Sequence, residues 1–579
     1  MPVNPITLTR ARISRAAIER LYIEMRHLFN SGVYRHLGER GEVLTEALLT
    51  LSPEIYGSMA NPSKVELAGL IYVIDRQPKG IEECRYIKLI SEEGYQESGF
   101  EVLVPAARRR NCYRIDDEHM FIEVTRGRSE IYDILTHLTF MYMEADKIYE
   151  HALTEDGEFT LEWQYLEKIV TGDIRLTDTN RAVAFTHLST ILGRSFEETQ
   201  HAYERLESKP DKNNGLFHVV YWLGKVAMDN DTDPHKIREV SFTPTLRDRI
   251  GHHIYGEMWA NRIKQFIIDR DLIDRPMHII SANLHSVMNA LYAYPALSST
   301  FPKEKTVEGL ALKLSQPENG DLRQKVREFA AKHGMYQLDD PSGTNITVQL
   351  FDTGQLPKGH MHPSLEPYLT SANGQSPLIL VMDYAFGEQA YETMDELLKT
   401  YKEHDITYRM PVRSISIMGK AGILTGGKGD IMIPNSHVFE GTADNYPFDN
   451  DFTCEDFAEM KGRVCEGTMI TVLGTSLQNR DVLSYFKQSS WKAIGLEMEG
   501  AHYQKAIQAA TRIRQTIGKD VVVRYAYYAS DNPLLSGSTL ASGSLGLIGV
   551  KPTYLITQKI LARVLGDHVG QAEQEVEMK

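Results

Sequence analysis

Apolar residues recur at three- and four-residue intervals through Glu130-Ile-Tyr-Asp-Ile-Leu-Thr-His-Leu-Thr-Phe-Met-Tyr-Met143, Arg249 to Ile268 and His278 to Tyr294. That period predicts amphipathic helices. A short β-prone patch, Glu101-Val-Leu-Val-Pro105, interrupts this texture just before Arg108-Arg-Arg110. The pattern predicts a large, mainly α-helical N-terminal domain over residues 1–340, with a small irregular or β insertion. Between Asp339 and Pro377 the chain becomes rich in Gly, Pro, Asn and Asp. Such density marks turns, and predicts a linker over 341–376 carrying one strand at Ile346 to Phe351.

After Pro377 short apolar runs alternate with helical periods. Strands are expected at Leu378–Asp383, Ser414–Met418, Asp430–Pro434, Met469–Leu473, Ala493–Leu496 and Val521–Ala529. Helices are expected at Glu388–Tyr401, Glu499–Thr516 and from about Lys551 to Leu565. This alternation predicts an α/β domain over 377–579 with a mostly parallel central sheet.

Composition narrows the function classes. The chain has 579 residues, 42% hydrophobic and 24% charged, with a formal net charge of -15. The acidic balance argues against nucleic acid or an anionic membrane as partner, since either requires clustered cations. A small-molecule partner fits better. Four cysteines (Cys84, Cys112, Cys454, Cys465), none at Cys-x-x-Cys spacing, indicate neither a disulfide framework nor a zinc knuckle. The N-terminal residues lack the apolar core of a signal peptide, and there is no run of 18 apolar residues. A cytoplasmic protein is expected. His253 with Glu257, and His278 with His285, have helical spacing, but no His-Glu-x-x-His run exists and no metal is expected.

The candidate chemistry lies in the C-terminal 200 residues. Gly495-Leu-Glu-Met-Glu-Gly500 ends an apolar run in acids where a helix begins, and Ser530-Asp-Asn-Pro533 closes another strand. Ligand crevices of open α/β sheets lie outside such carboxyl ends. Taken alone, Glu497 and Glu499 read first as acids at a helix N-terminus, and Asp531-Asn-Pro533 also reads as a turn. Three further motifs accompany them: Val381-Met-Asp-Tyr-Ala-Phe-Gly-Glu388; Ile417-Met-Gly-Lys-Ala-Gly-Ile-Leu424 leading to Gly429-Asp-Ile-Met-Ile-Pro434; and Gly467-Thr-Met-Ile-Thr-Val-Leu-Gly-Thr-Ser476.

These motifs, in this order, resemble the nucleoside phosphorylase and nucleosidase superfamily. The texture is nearest to AMP nucleosidases, through the Asn479-Arg480 pair and the Ser530 to Leu534 run. The resemblance implies cleavage of the N-glycosidic bond of a purine nucleoside or nucleotide, without a cofactor, in a homo-oligomer. It implies Glu499 on the ribose hydroxyls with Met498 beside the sugar, and Asp531 as the acid that protonates the base. Ser476, Gln478, Asn479 and Ser530 would stand near the base. Gly387, Gly419, Lys420 and Gly422 would surround a phosphate or water position, with Glu388 as the water-activating base. The chain departs from phosphorylases in carrying Ile417 where an arginine captures phosphate, and Lys420 where a small residue is usual. Hydrolysis is therefore favoured over phosphorolysis, and a nucleotide-sensing protein without turnover is the alternative. The Walker-like spacing Gly422-Ile-Leu-Thr-Gly-Gly-Lys428 fails, because Gly429 replaces the Ser or Thr and a strand follows.

Overall fold

The computed structural model describes residues 5–340, 342–370, 376–535 and 545–577. The chain divides into two compact units: Met1–His253 with Ser476–Val482, and Ile254–Thr475 with Leu483–Lys579. The division therefore falls at His253/Ile254 rather than at residue 340. Of the turn-rich stretch expected at Ser371–Pro377, positions 371–375 lie outside the described residues.

In the first unit, helices such as Pro5–Ser31, Arg128–His151 and Leu216–Thr232 accompany a six-stranded sheet. The expected β insertion is thus larger than a patch. Its strands run in the order Val33–Tyr34, Glu239–Phe242, Tyr86–Ile90, His119–Glu123, Cys112–Arg114, Val102–Leu103. Val102–Leu103, from the β-prone patch, forms an edge. The helical stretch expected across Arg249–Ile268 is two helices, Pro244–Gly251 and Ile254–Ile268. His253, at φ 56°, takes the left-handed conformation that a helix cannot contain.

The second unit is built on a ten-stranded sheet. His278–Ser281, expected at the start of a helix, belongs instead to the strand Met277–Ser281, which pairs in parallel with both Leu378–Met382 and Val412–Ile423. His278 lies on it, with Nδ1 2.7 Å from the Ser414 hydroxyl. All five residues of this strand are buried. Met277 and Ile279 enter one apolar cluster with Trp259, Met394 and Tyr503, while Ile280 enters the opposite one with Leu291, Val326 and Leu561. A strand covered on both faces shows no alternation, so its short apolar run is indistinguishable from buried helix.

The expected linker strand is Val348–Asp352, which pairs antiparallel with Leu378–Met382 and Met335–Leu338 and so belongs to the sheet. The sheet is mixed rather than mostly parallel. Five of its strand pairings are parallel and five antiparallel. Part of it closes on itself. Val412–Ile423 pairs with Val522–Asp531, which meets Ile431–Phe439, then Val464–Thr471, then Gly495–Glu497, which returns to Val412–Ile423. Among the described residues no helix is long and apolar enough to cross a membrane.

Candidate functional site

The buried strand Leu378–Met382 opens into the loop Asp383–Glu388. The loop is pinned by Gln389, whose Oε1 accepts the Phe386 N–H at 3.1 Å and whose Nε2 donates to the Thr344 carbonyl at 2.8 Å. Gly387, at φ 55°, turns its N–H onto Glu499 Oε1 at 3.0 Å. Glu388 is half-buried at the start of the helix Gln389–Leu397 and its side chain does not cap that helix.

Glu497 and Glu499 have separated roles. Glu497 Oε1 accepts the Thr471 hydroxyl at 2.5 Å. Its Oε2 accepts the Glu499 N–H at 2.5 Å, and also the Gly500 N–H at the start of the helix Gly500–Gln508. Thr471 Oγ1 in turn accepts the Ala501 N–H at 3.0 Å. Glu497 is thus the helix-terminal acid. Burial first, and then the Glu499 charge, push its carboxyl up to about 8 despite those hydrogen bonds. Glu499 is only half-buried and faces the Gly387 loop. Met498, between them, is buried.

Gly500 is required by close approach. A Cβ there would collide with the His437 ring and the Glu497 carboxylate. His437 is fully buried, stacked on Phe448 at 5.2 Å, with Nε2 3.4 Å from the Tyr527 hydroxyl and no hydrogen bond at Nδ1. Burial lowers its pKa to about 3, so the imidazole is neutral. The Tyr503 hydroxyl lies 3.1 Å from Ser281 Oγ, tying the Gly500–Gln508 helix to the carboxyl end of Met277–Ser281. No local sequence signal marked His437 or Ser281, because both act through long-range pairing.

Asp531 ends the strand Val522–Asp531. Gly422 pairs with Asp531 on one side and with Leu496 on the other. At about 4.8 Å per strand spacing, Asp531 and the Gly495–Glu497 segment stand roughly 10 Å apart at the backbone. Asp531 Oδ1 accepts the Ser530 hydroxyl at 2.5 Å, while Oδ2 is buried without a hydrogen-bond partner among the described residues. Burial raises the Asp531 pKa, opposed by Ser530, Lys420 and Lys428. The turn after it is made by Asn532, whose Oδ1 accepts the Leu534 N–H at 3.0 Å. Tyr527 and Tyr528 of the same strand are buried. Gly419 lies against the Tyr384 ring, and Lys420 is exposed.

A model described as "Family of unknown function (DUF6909)" matches residues 42–300 and 311–566. The chain belongs to that family. The matched ranges of DUF6909 include every acid described above. No curated protein matches the chain. Solved structures similar to this DUF6909 chain include the 5'-methylthioadenosine/S-adenosyl homocysteine nucleosidase of Campylobacter jejuni, 10% identical with a TM-score of 0.30 over 51% of this chain and 99% of that one. A futalosine hydrolase mutant of Helicobacter pylori is 11% identical, TM-score 0.28, over 51% and 99%. An MTA/SAH nucleosidase of Streptococcus pneumoniae is 12% identical, TM-score 0.26, over 50% and 99%. At such scores the roles of individual residues rest on the geometry of the DUF6909 chain itself.

The structure assembles two groups in the second unit: Gly387 and Glu388 with Glu499, and Gly422 with Ser530 and Asp531. It places Ser476, Gln478 and Asn479 in the first unit. Asn479 Nδ2 donates to the Leu51 carbonyl at 2.8 Å and its Oδ1 accepts the Val482 N–H at 3.0 Å, so this amide is committed to backbone. The Gln478 amide is buried with no hydrogen bond among the described residues.

Proposed function

We propose that the second unit cleaves the N-glycosidic bond of a purine nucleoside or nucleotide by hydrolysis. The observation that carries the reading is Asp531, a strand-end carboxyl that is buried, raised in pKa and left with one oxygen unpartnered. Such a group keeps a proton where an exposed Asp has lost it, which general-acid chemistry on a leaving base requires.

In this reading the bond from the anomeric carbon to the base breaks with its electron pair going to the base, and Asp531 gives its proton to a ring nitrogen. Glu499 accepts hydrogen bonds from the ribose hydroxyls and favours the cationic sugar. Glu388 takes a proton from the water whose oxygen attacks the anomeric carbon, and solvent returns that proton to Asp531. Ile417 in place of a phosphate-capturing arginine disfavours phosphorolysis.

Incubating the full chain with purine nucleosides and AMP, with and without orthophosphate, tests the proposal. Free base without phosphate is the expected result. Ribose 1-phosphate would make the protein a phosphorylase instead, and ligand binding without either product would make it a nucleotide sensor.

A further inference from the structure

The first unit contains a second concentration of chemistry, unrelated to glycosidic cleavage. In the Arg108-Arg-Arg110 run the middle residue is exposed, while Arg108 is half-buried and Arg110 is 4% exposed. The two inward guanidiniums converge on Asp133 of the helix Arg128–His151. Arg108 donates to both carboxylate oxygens at 2.8 and 2.6 Å, and Arg110 Nη2 donates to Oδ2 at 3.0 Å. Arg76 enters from the segment after the helix Leu67–Ile74, laid over the Tyr72 ring at 3.4 Å and within electrostatic reach of Asp133 and Arg108.

Among the described residues, some donors of Arg76, Arg110 and His137 are unmet. Arg110 Nε and Nη1 and Arg76 Nε make no hydrogen bond, and Arg110 Nε stands 3.8 Å from Glu130 Oε1. His137, 0% exposed, faces all three arginines and Asp133, yet neither ring nitrogen has a hydrogen-bond partner and Nε2 is 3.6 Å from Asp133. Three guanidiniums therefore face two carboxylates, Asp133 and Glu130. Asp75, the other acid near Arg76, is held by Lys209 at 3.0 Å. Burying a charged donor unpaired is costly, and surplus positive charge adds to that cost. An anion satisfies both deficits at once. Donors arriving from Arg76, from Arg110 and from the His137 ring suit a tetrahedral group better than a planar carboxylate, and the partly exposed Arg76 and Arg108 leave a way in.

We propose that Arg76, Arg108, Arg110 and His137 form a phosphate-binding site in the first unit, taking free phosphate or the phosphate of a monoester. Calorimetric titration of the full chain with inorganic phosphate, and separately with AMP, tests it. Saturable phosphate binding is expected, weakened about tenfold or more by Arg76→Gln and by Arg108→Gln and unchanged by Lys420→Ala. Tighter binding of AMP, lost through the same arginine substitutions, identifies the ester as the ligand; equal or weaker AMP binding identifies the free anion. Should those variants misfold, phenylglyoxal modification of the unaltered protein, read by mass spectrometry, is expected to show Arg76 and Arg108 protected by phosphate. Absence of binding at millimolar phosphate overturns the proposal. So does binding that survives Arg76→Gln but is lost in Lys420→Ala, which would place the anion in the second unit.

Discussion

Asp133 in the first unit and Asp531 in the second are both buried carboxyls, and the structure moves their titration in opposite directions. Arg108 and Arg110 donate three hydrogen bonds to Asp133, and the guanidinium charges hold it well below the usual carboxylate range in spite of burial. Asp531 has one hydroxyl partner and two lysines acting only through their charge, so burial dominates and raises it. Depth alone does not decide the protonation of a buried acid. The number and charge of the donors that follow it inward do, and they hold Asp133 ionised while burial favours the protonated form of Asp531.

The largest effect that tests this contrast is on turnover. Asp531→Asn is expected to lower base release by roughly 10²–10⁴ while leaving the unfolding midpoint no lower than that of the parent. Unchanged turnover would remove Asp531 from the mechanism. Asp133→Ala is expected to act the other way, on stability, costing about 3–5 kcal/mol in denaturant unfolding because it leaves two guanidiniums without their shared acceptor. A loss within about 0.5 kcal/mol would show that solvent already satisfies them. Gly500→Ala is a milder perturbation, expected to cost about 1–3 kcal/mol by forcing the His437 ring aside, read from thermal unfolding.

The smallest effects lie in the pH dependence of stability, where the two acids have opposite signs. Asp133, depressed from its ordinary 3.8, contributes stability above that value and loses it as pH falls. Asp531, raised from 3.8, costs nothing below that value. Above it, the unfolded chain releases a proton that the folded chain retains, so stability is lost as pH rises toward the folded pKa. Compared with the parent across a pH series, Asp531→Asn should gain relative stability toward neutral pH and Asp133→Asn should lose it. Parallel curves would break the comparison. Under the proposed acid role, base release is expected to fall on the alkaline side as Asp531 ionises, and a pH–rate profile of parent and Asp531→Asn checks it.

Much of the second unit was legible in the sequence, because runs such as Val522–Asp531 are mostly apolar, Arg524 apart, and place their acid at the very end. The acids of Glu497-Met-Glu-Gly500 were legible as a pair, with Glu499 favoured as the sugar contact. What divides their work structurally is Thr471, 26 residues earlier on a neighbouring strand. Met277–Ser281 escaped notice because apolar clusters cover both of its faces and erase the period. Ser476, Gln478 and Asn479 follow an apolar strand in the expected way, but the chain leaves the second unit at that point. Nothing in the Arg108-Arg-Arg110 run itself shows that the chain brings Asp133, 25 residues from Arg108, against it.

The closed circuit of strands carries a consequence for biosynthesis. Val522–Asp531 is the last strand of the circuit to be translated, and it joins partners that begin some hundred residues earlier in the chain. Until it emerges, Val412–Ile423 and Ile431–Phe439 each lack a neighbour and Gly422 has no Asp531 beside it. A nascent or truncated chain stopping short of this strand therefore has Glu497 and Glu499 but not Asp531. Pairing over such sequence separation is slow, and until it forms the open edges of Val412–Ile423 and Ile431–Phe439 are available to other chains.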